Sequence, residues 1–379
     1  MIHTPEQLQV RAVAQSFVAR EIAPHAARWD REYCVPIHVL RALGPLGFMG
    51  LCIDPAWGGA GLDQVAYVLA VEEIAAGDCG LCNLMCVNNS PNCTALQDYG
   101  TPDQKERFLR PLATGAQSSA FLLTEPHAGS DAAAIQTRAV RDGDGYVLNG
   151  VKQFVTGGRS ADVALIVAVT DPDAGKRGLS CFLTPTKATG YRVAHEERKL
   201  GHHAADTCQI VLENLLIPAS NLLGPLNGGY KIALAYLEHG RIGVAAQAVG
   251  VARAAFSAAR RYAEERHAFG KPLREQQAVA FKLADMATAI ESAHHMTLHA
   301  ATLKDAGLRC VREASMAKLF ASTIAERVCS DALQIHGGDG CLNDFPIEKL
   351  YRDARVLSLY EGTNEIQRLV IARELTRND

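Results

Sequence analysis

One glutamate stands where chemistry could be done. Glu361 lies in Leu359–Arg368, which reads LYEGTNEIQR, between Tyr360 and Gly362. Gly362 is a natural helix stop. Thr363 or Asn364 could cap the helix that follows, with Gln367 or Glu365 near its first turn. The pattern predicts a carboxylate in a short break between two helices. Such a carboxylate can be aimed and desolvated, and desolvation raises its pKa and its strength as a base. A surface-loop glutamate is the alternative, and these residues alone do not choose between the two.

Other stretches offer binding groups. Thr124–Asp131, TEPHAGSD, follows an apolar, strand-like run and gathers Thr, Gly and Ser. Its backbone N–H groups and hydroxyls could hold a phosphate or a polar heterocycle, or form an ordinary turn. It is not a P-loop, and no GxGxxG follows a strand. His336–Gly340, HGGDG, comes after a helix, which excludes a dinucleotide fingerprint and leaves close approach to a phosphate or another backbone. Phe154 and Thr156 fall on one strand face, suited to a flat ring with polar edges or to core packing. Glu291, His295 and His299 share a helix face and are read as solvated rather than metal-binding. Cys79, Cys82 and Cys86 also share a face and are read as small buried hydrophobes rather than a metal site. His202–His203 is given no role. No GxSxG elbow is present, which lowers the case for a hydrolase.

The elements that must position these residues come in three blocks. Residues 1–117 read as an N-terminal helical domain, with helices over Pro5–Ala27, Pro36–Leu46, Gln64–Ala76, Leu81–Tyr99 and Pro102–Leu112. Residues 118–226 read as short strands with hairpin-type turns at Asp142–Gly145 and Asn149–Gly150, an antiparallel barrel or sandwich. Residues 227–379 read as a C-terminal four-helix bundle, with long helices over Tyr230–Arg266, Gln276–Ala306 and Val311–His336. The fold class is α+β. The 38 Lys+Arg against 41 Asp+Glu give a net charge of -3, which argues against nucleic-acid binding. No signal peptide or membrane-length apolar run is visible, and 11 scattered cysteines suit a reducing, cytoplasmic setting.

These residues resemble the acyl-CoA dehydrogenase family across nearly the whole chain. FLLTEPHAGSDAAAIQTRA (Phe121–Ala139), GRIGVAAQAVG (Gly240–Gly250), ERHAFGKPLREQQAVAFKLADMA (Glu265–Ala287), LQIHGGDG (Leu333–Gly340) and YRDARVLSLYEGTNEIQR (Tyr351–Arg368) match in sequence and in order. The resemblance implies bound FAD, a homotetramer of paired dimers, and Glu361 as catalytic base. Some relatives carry the base just before the arginine corresponding to Arg241; Gly240 stands there, which supports Glu361. The resemblance places Phe121, Leu123, Thr124, Ser130, Phe154 and Thr156 around the flavin ring and pyrophosphate. It places Arg266, Phe269, Gln277, Gln334 and Gly338 at the adenosine and pyrophosphate end, partly across a subunit interface, and Thr363 and Asn364 beside the base, where they touch the cofactor. Glu238, Arg241, Gly362 and Ser130 match acyl-CoA-contacting positions. His127 stands where Gly is usual, and Phe154 where Trp is common.

The implied reaction is α,β-dehydrogenation of an acyl-CoA thioester to the 2,3-enoyl-CoA, a step of fatty acid metabolism. Glu361 takes the α-proton, FAD accepts the β-hydride, and electron-transfer flavoprotein is the acceptor. Near the acyl end, Leu84 and Val87 suggest an apolar floor, while Asn83, Asn88 and Asn89 leave room for a polar tail. Rival readings on the same scaffold are an acyl-CoA oxidase, a flavin monooxygenase or an enoyl-CoA reductase. A more distant one is a non-catalytic DNA-binding flavoprotein, disfavoured by the charge and by the absence of a basic stretch after Arg368.

Overall fold

A computed structural model describes residues 2–377; Met1, Asn378 and Asp379, the outermost residues of the expected first and third domains, lie outside the described residues. The chain starts with α1 (Pro5–Phe17), whose Thr4 and Gln7 form a reciprocal capping box. The helix expected over Pro5–Ala27 breaks at Ala23–His25 around Pro24, and a second helix runs over Ala26–Glu32. The centre of this region is α2 (Gln64–Gly77), buried along nearly its whole length and capped by Asp63 Oδ1 accepting from Ala66 N at 2.7 Å. A helix apolar on every side has to be enclosed. Next to it, α3 (Cys79–Val87) is capped by Asp78.

Eight strands follow: β1 (Ser119–Leu122), β2 (Arg138–Asp142), β3 (Gly145–Thr156), β4 (Val163–Val169), β5 (Leu179–Pro185), β6 (Tyr191–Glu196), β7 (Thr207–Pro218) and β8 (Leu222–Leu223). Their order is β6-β7-β3-β2-β4-β5-β8, with β1 lying on β4. The α+β class stands, but the sheet expected as an antiparallel barrel or sandwich is mixed, and it does not close into a barrel. β1 runs parallel to β4, with Ser119 opposite Val163, and β2 touches β4 in parallel at Arg138–Val169. The reason is that β1 enters from the helical region, where a hairpin is not available, and inserts beside a strand buried along its length.

Asp142–Gly145 makes the expected β2–β3 turn. Asn149–Gly150 does not make a turn; it sits inside β3 at a register shift against β7. Asn149 Oδ1 accepts from Asn214 N at 2.8 Å, and a Cβ on Gly150 would come within 2.8 Å of Thr137 Cα, so glycine here permits close approach.

The remaining helices are α4 (Gly229–Glu265), α5 (Gln277–Asp305), α6 (Val311–His336), α7 (Ile347–Val356) and α8 (Asn364–Leu375). Small residues line the buried faces of α4 (Ala245, Ala248, Ala252, Ala255, Ala259) and α6 (Ala314, Ala317, Ala321, Ala325), letting the two helices pack closely. By length and composition α4 could cross a membrane, but it is enclosed as a core helix. α8 lies along α6 as the fourth member of the bundle.

Buried charges tie the three blocks together. On α7, Lys349 Nζ lies 2.6 Å from Asp353 Oδ2 and 3.0 Å from Asp78 Oδ2 at the head of α3. Asp353 Oδ1 accepts from His202 N at 2.6 Å, in the loop between β6 and β7. Arg352 Nη2 pairs with Asp30 at 2.6 Å, and His203 Nδ1 reaches the same carboxylate at 3.0 Å. His202–His203, given no role from sequence, thus joins sheet to helices. Burial opposes the charge on Lys349, but its two carboxylates prevail and hold its pKa above the ordinary value. Lys349→Met leaves two buried carboxylates without their cation; it should lower unfolding free energy by about 3–5 kcal/mol. A urea midpoint equal to the parent's would show that this pair contributes nothing.

Candidate active site

α7 ends at Val356, and the chain turns before α8 begins after its cap. Thr363, one of the two expected caps, fills that role: its Oγ1 accepts from Ile366 N at 3.4 Å. Gly362 has φ +82°, and Glu361 itself has φ +54°. A left-handed backbone at a residue with a Cβ costs roughly 1–2 kcal/mol. Two buried donors hold it there. Gln367 Nε2 donates to Glu361 O at 3.1 Å and to Gly362 O at 2.8 Å. From α6, Lys318 Nζ donates to Gly362 O at 2.9 Å and to Asn364 Oδ1 at 3.0 Å.

The side chain that results packs against α4. A Cβ on Gly240 would fall 2.6 Å from Glu361 Oε2 and 2.9 Å from its Cδ, so the carboxyl occupies the space this glycine leaves. Glu361 as a whole keeps some solvent contact, but Oε2 is sealed and has no hydrogen-bond partner among the described residues. Burial pushes the Glu361 carboxyl up to about 7, opposed by the charges of Arg241 and Lys318. Arg241 is itself buried; its Nη1 donates to Ser315 Oγ at 3.3 Å, and its Nε has no partner among the described residues. Tyr360 O–H donates to Gln247 Oε1 at 2.6 Å and anchors the residue before the base. The backbone therefore aims the carboxyl, while an oxygen is left free to take a proton.

The TEPHAGSD loop is built on a buried ion pair. Lys152 Nζ, on β3, lies 2.8 Å from Glu125 Oε1 and donates to Leu123 O at 2.9 Å. Glu125 also accepts from Gln136 N at 2.6 Å and Thr137 N at 3.0 Å, and Gln153 N donates to Thr124 O at 2.8 Å. Phe121, Leu123 and Thr124 are partly buried, while Ser130 stands exposed beyond this anchor. Nothing lies within 4 Å of a Cβ placed on Gly129. Phe154 sits at the second register shift of β3, with φ +56° and 64% exposure. Thr156 Oγ1 accepts from Asn83 Nδ2 at 3.4 Å, linking this strand end to α3. α3 also contacts α4, where Cys79 Sγ meets Gln247 Oε1 at 3.7 Å.

Asn88 and Asn89 do not leave room for a polar tail as expected. Asn88 Nδ2 donates to Met49 O and Leu112 O, and its Oδ1 accepts from Ser119 Oγ. Asn89 Oδ1 accepts from Leu51 N, and its Nδ2 donates to Phe48 O and Met85 O. Both tie buried loops together. Glu238 is engaged as well, accepting from Cys310 Sγ at 3.1 Å and Lys304 Nζ at 3.3 Å.

Another expected group lies apart from the base. Arg266, Phe269, Gln277, Gln334 and Gly338 are exposed where the end of α4, the start of α5 and the end of α6 converge. Tyr262 of α4 stacks on His336 of α6 there, at 4.4 Å between ring centroids. Arg266 lies some 25 residues beyond Arg241 on the same helix line, on the order of 37 Å away. The sequence marks Gln367 only as a residue near the first turn of α8, and it does not single out Lys318 or Lys152. The signal was a lysine on an otherwise small and apolar stripe of α6, and a lysine inside a core strand.

Comparison with known proteins settles the relationship. The acyl-CoA dehydrogenase N-terminal, middle and C-terminal domain families match residues 4–116, 120–215 and 227–376. The chain belongs to the acyl-CoA dehydrogenase family. It is 43% identical over 372 residues to an acyl-CoA dehydrogenase of Bacillus subtilis, covering 98% of each chain. It is 41% identical over 382 residues to a 3-(aryl)acrylate reductase of Clostridium sporogenes, covering all of both. The butyryl-CoA dehydrogenase structure from Megasphaera elsdenii superposes with a TM-score of 0.97 at 38% identity, covering all of both chains. A glutaryl-CoA dehydrogenase from Mycobacterium smegmatis in complex with FADH2 gives 0.94 at 32%, covering 99% of this chain and 95% of that one. Members of the family are FAD-dependent, and the residues here fit that group. β3 carries an exposed Phe154 ring and the Thr156 hydroxyl and is tied by Lys152 and Gln153 to the Thr/Gly/Ser loop, which brings together the groups a flat heterocycle with a phosphate tail requires.

Glu361 reaches its place because Gly240 has no side chain. Gly240→Ala should leave the fold within about 1 kcal/mol of the parent, since the displaced atoms are the far end of a side chain that can turn aside rather than backbone. It should slow substrate reduction of the flavin by about 10–100-fold. Parent-like reduction rates in stopped flow would show that this contact does not set the carboxyl's position.

Proposed function

We propose that Glu361 is the catalytic base, removing the α-proton of an acyl-CoA thioester as it becomes the 2,3-enoyl-CoA. The observation that carries this is the Glu361 carboxyl, held by a strained backbone with a buried oxygen that has no partner among the described residues; burial pushes its pKa up to about 7. A base poised near the working pH combines availability with proton affinity. Bound FAD supplies the acceptor for the β-hydride. The Glu361 N–H is the chain's own donor for the thioester oxygen as negative charge develops. Lys318 and Gln367 hold the successive carbonyls of Glu361 and Gly362, so the backbone that carries the carboxyl does not have to reorganise during proton transfer.

Phe121, Leu123, Thr124, Ser130, Phe154 and Thr156 hold the ring and pyrophosphate, with Thr363 and Asn364 beside the base. Arg241, Ser130 and Gly362 face the acyl-CoA; Glu238 joins them if it exchanges its present partners. Arg266, Phe269, Gln277, Gln334 and Gly338 serve the adenosine end of a cofactor held by a second copy. Their distance from Glu361 supports this, as does Phe269, 96% exposed at the tip of the His267–Pro272 hairpin. A homotetramer follows from the same reading, with electron-transfer flavoprotein as acceptor and short acyl chains as substrates, in line with the butyryl-CoA relative. A cytoplasmic location accords with the cysteine content.

The reductase relative favours a second direction on the same residues, in which Glu361 would return a proton to one carbon of an activated double bond and a bound, reduced cofactor would supply the hydride for the other. Re-oxidation of the photoreduced protein by an arylacrylate, with no response to saturated acyl-CoA, would select that direction.

Glu361→Gln should retain FAD and bind acyl-CoA, yet lose nearly all anaerobic flavin bleaching by a short acyl-CoA. In the parent, kcat/KM should rise with pH and level off above about 7, because the ionised carboxylate is the active form and protonation below that value removes it. Full bleaching by the Gln variant would remove Glu361 from the reaction.

A further inference from the structure

We infer that Lys318 is a positioning residue for proton abstraction, fixing the backbone next to Glu361 and supplying the buried positive charge that keeps its carboxyl ionised. The inference rests on Glu361 being the base.

Lys318 is fully buried, about two turns into α6. Among the described residues no carboxylate pairs with it; its partners are the Gly362 carbonyl and the Asn364 amide oxygen, at 2.9 and 3.0 Å. A buried ammonium without a counter-ion costs several kcal/mol. If its task were to brace a carbonyl, a neutral donor would do so more cheaply.

The surroundings keep this lysine in place. Asn364 Oδ1, which Lys318 contacts, also accepts from Ser322 Oγ at 3.0 Å, one turn along the same helix. Asn364 Nδ2 donates to Thr323 Oγ1 at 3.4 Å, which fixes the amide with its oxygen toward the lysine. Gly362 O receives Lys318 from one side and Gln367 Nε2 from the other. Rotation of that peptide would break both bonds, and Gln367 Nε2 also holds Glu361 O at 3.1 Å, so the turn in which Glu361 has φ +54° is pinned on the side that follows the base.

The electrostatic role follows from which charges face it. Burial lowers the Lys318 pKa to about 8; the neighbouring charges are Glu361 and Glu365, which favour its ionised form, and Arg241, which opposes it. Glu365 is on the solvent side. Glu361 carries the buried carboxyl; it is flanked by Lys318 and Arg241, and among the described residues nothing hydrogen-bonds its Oε2. Two cations at a distance lower the carboxyl's pKa without occupying its lone pairs. A direct salt bridge would block the oxygen that must take the proton. Lys318 thus acts on the base through space and through the peptide, and need not touch the substrate.

The test compares three variants by anaerobic single-turnover flavin reduction across pH, with FAD content read from the visible spectrum. Lys318→Arg keeps the charge, Lys318→Gln keeps an N–H donor without charge, and Lys318→Met keeps neither. With Arg the pH midpoint should stay near the parent's. With Gln and Met it should move up by about one unit or more. Met should also lose about tenfold or more of the high-pH plateau, and Gln less. If Lys318→Met does not fold, the contrast between Arg and Gln decides. Equal midpoints in the Arg and Gln variants overturn the electrostatic role, and plateaus equal to the parent's in every folded variant overturn the positioning role. A parent protein that no acyl-CoA reduces would instead undo the assignment of the base.

Discussion

A carboxyl oxygen buried without a partner is the constraint on which the structure turns. Such a group is unstable in a protein interior unless its surroundings compensate for the lost water. At Glu361 the compensation is indirect. Arg241 and Lys318 provide charge at a distance, and the hydrogen bonds fall on the peptide groups beside it. The side chain is placed without being satisfied, which is the condition for taking a proton on demand.

That arrangement needs a rigid frame, and buried charge supplies it. The Lys349 group binds α7, the loop between β6 and β7 and the head of α3 into one unit immediately before the break that carries Glu361. The Glu125–Lys152 pair does the same for the loop after β1, joining β3 to the Thr124 segment through main-chain carbonyls as well as charge. Each pair is costly to desolvate, and each fixes a loop that would otherwise have many conformations. Stability and site geometry come from the same contacts.

The three-block order and the long helices were legible in sequence because helical periodicity and glycine or proline punctuation are local signals. Val311–His336 came out at the bounds read from the pattern. Glu361 was legible as a glutamate in a helix break; its burial was not, because burial depends on Gly240, 121 positions earlier in the chain. Sheet topology failed for the same reason. Nothing within β1 says that its partner is β4 or that the pairing is parallel. Asn149–Gly150 was misread because a glycine that relieves close packing looks like one that makes a turn. Asn88 and Asn89 were misread because an amide serving distant main-chain groups looks, in sequence, like an amide free for a ligand.

The contact between Glu361 and Gly240 has a consequence for how such a site can change. The carboxyl hangs from one backbone segment but rests where a side chain from the opposite segment would begin. What is fixed is a point in space, reachable from two addresses in the chain. An acid could be transferred from one address to the other by a pair of exchanges, one vacating the point and one filling it, with the pocket wall and its cations left in place. Descendants of a common scaffold could then differ in where the acid is encoded while agreeing on where it acts.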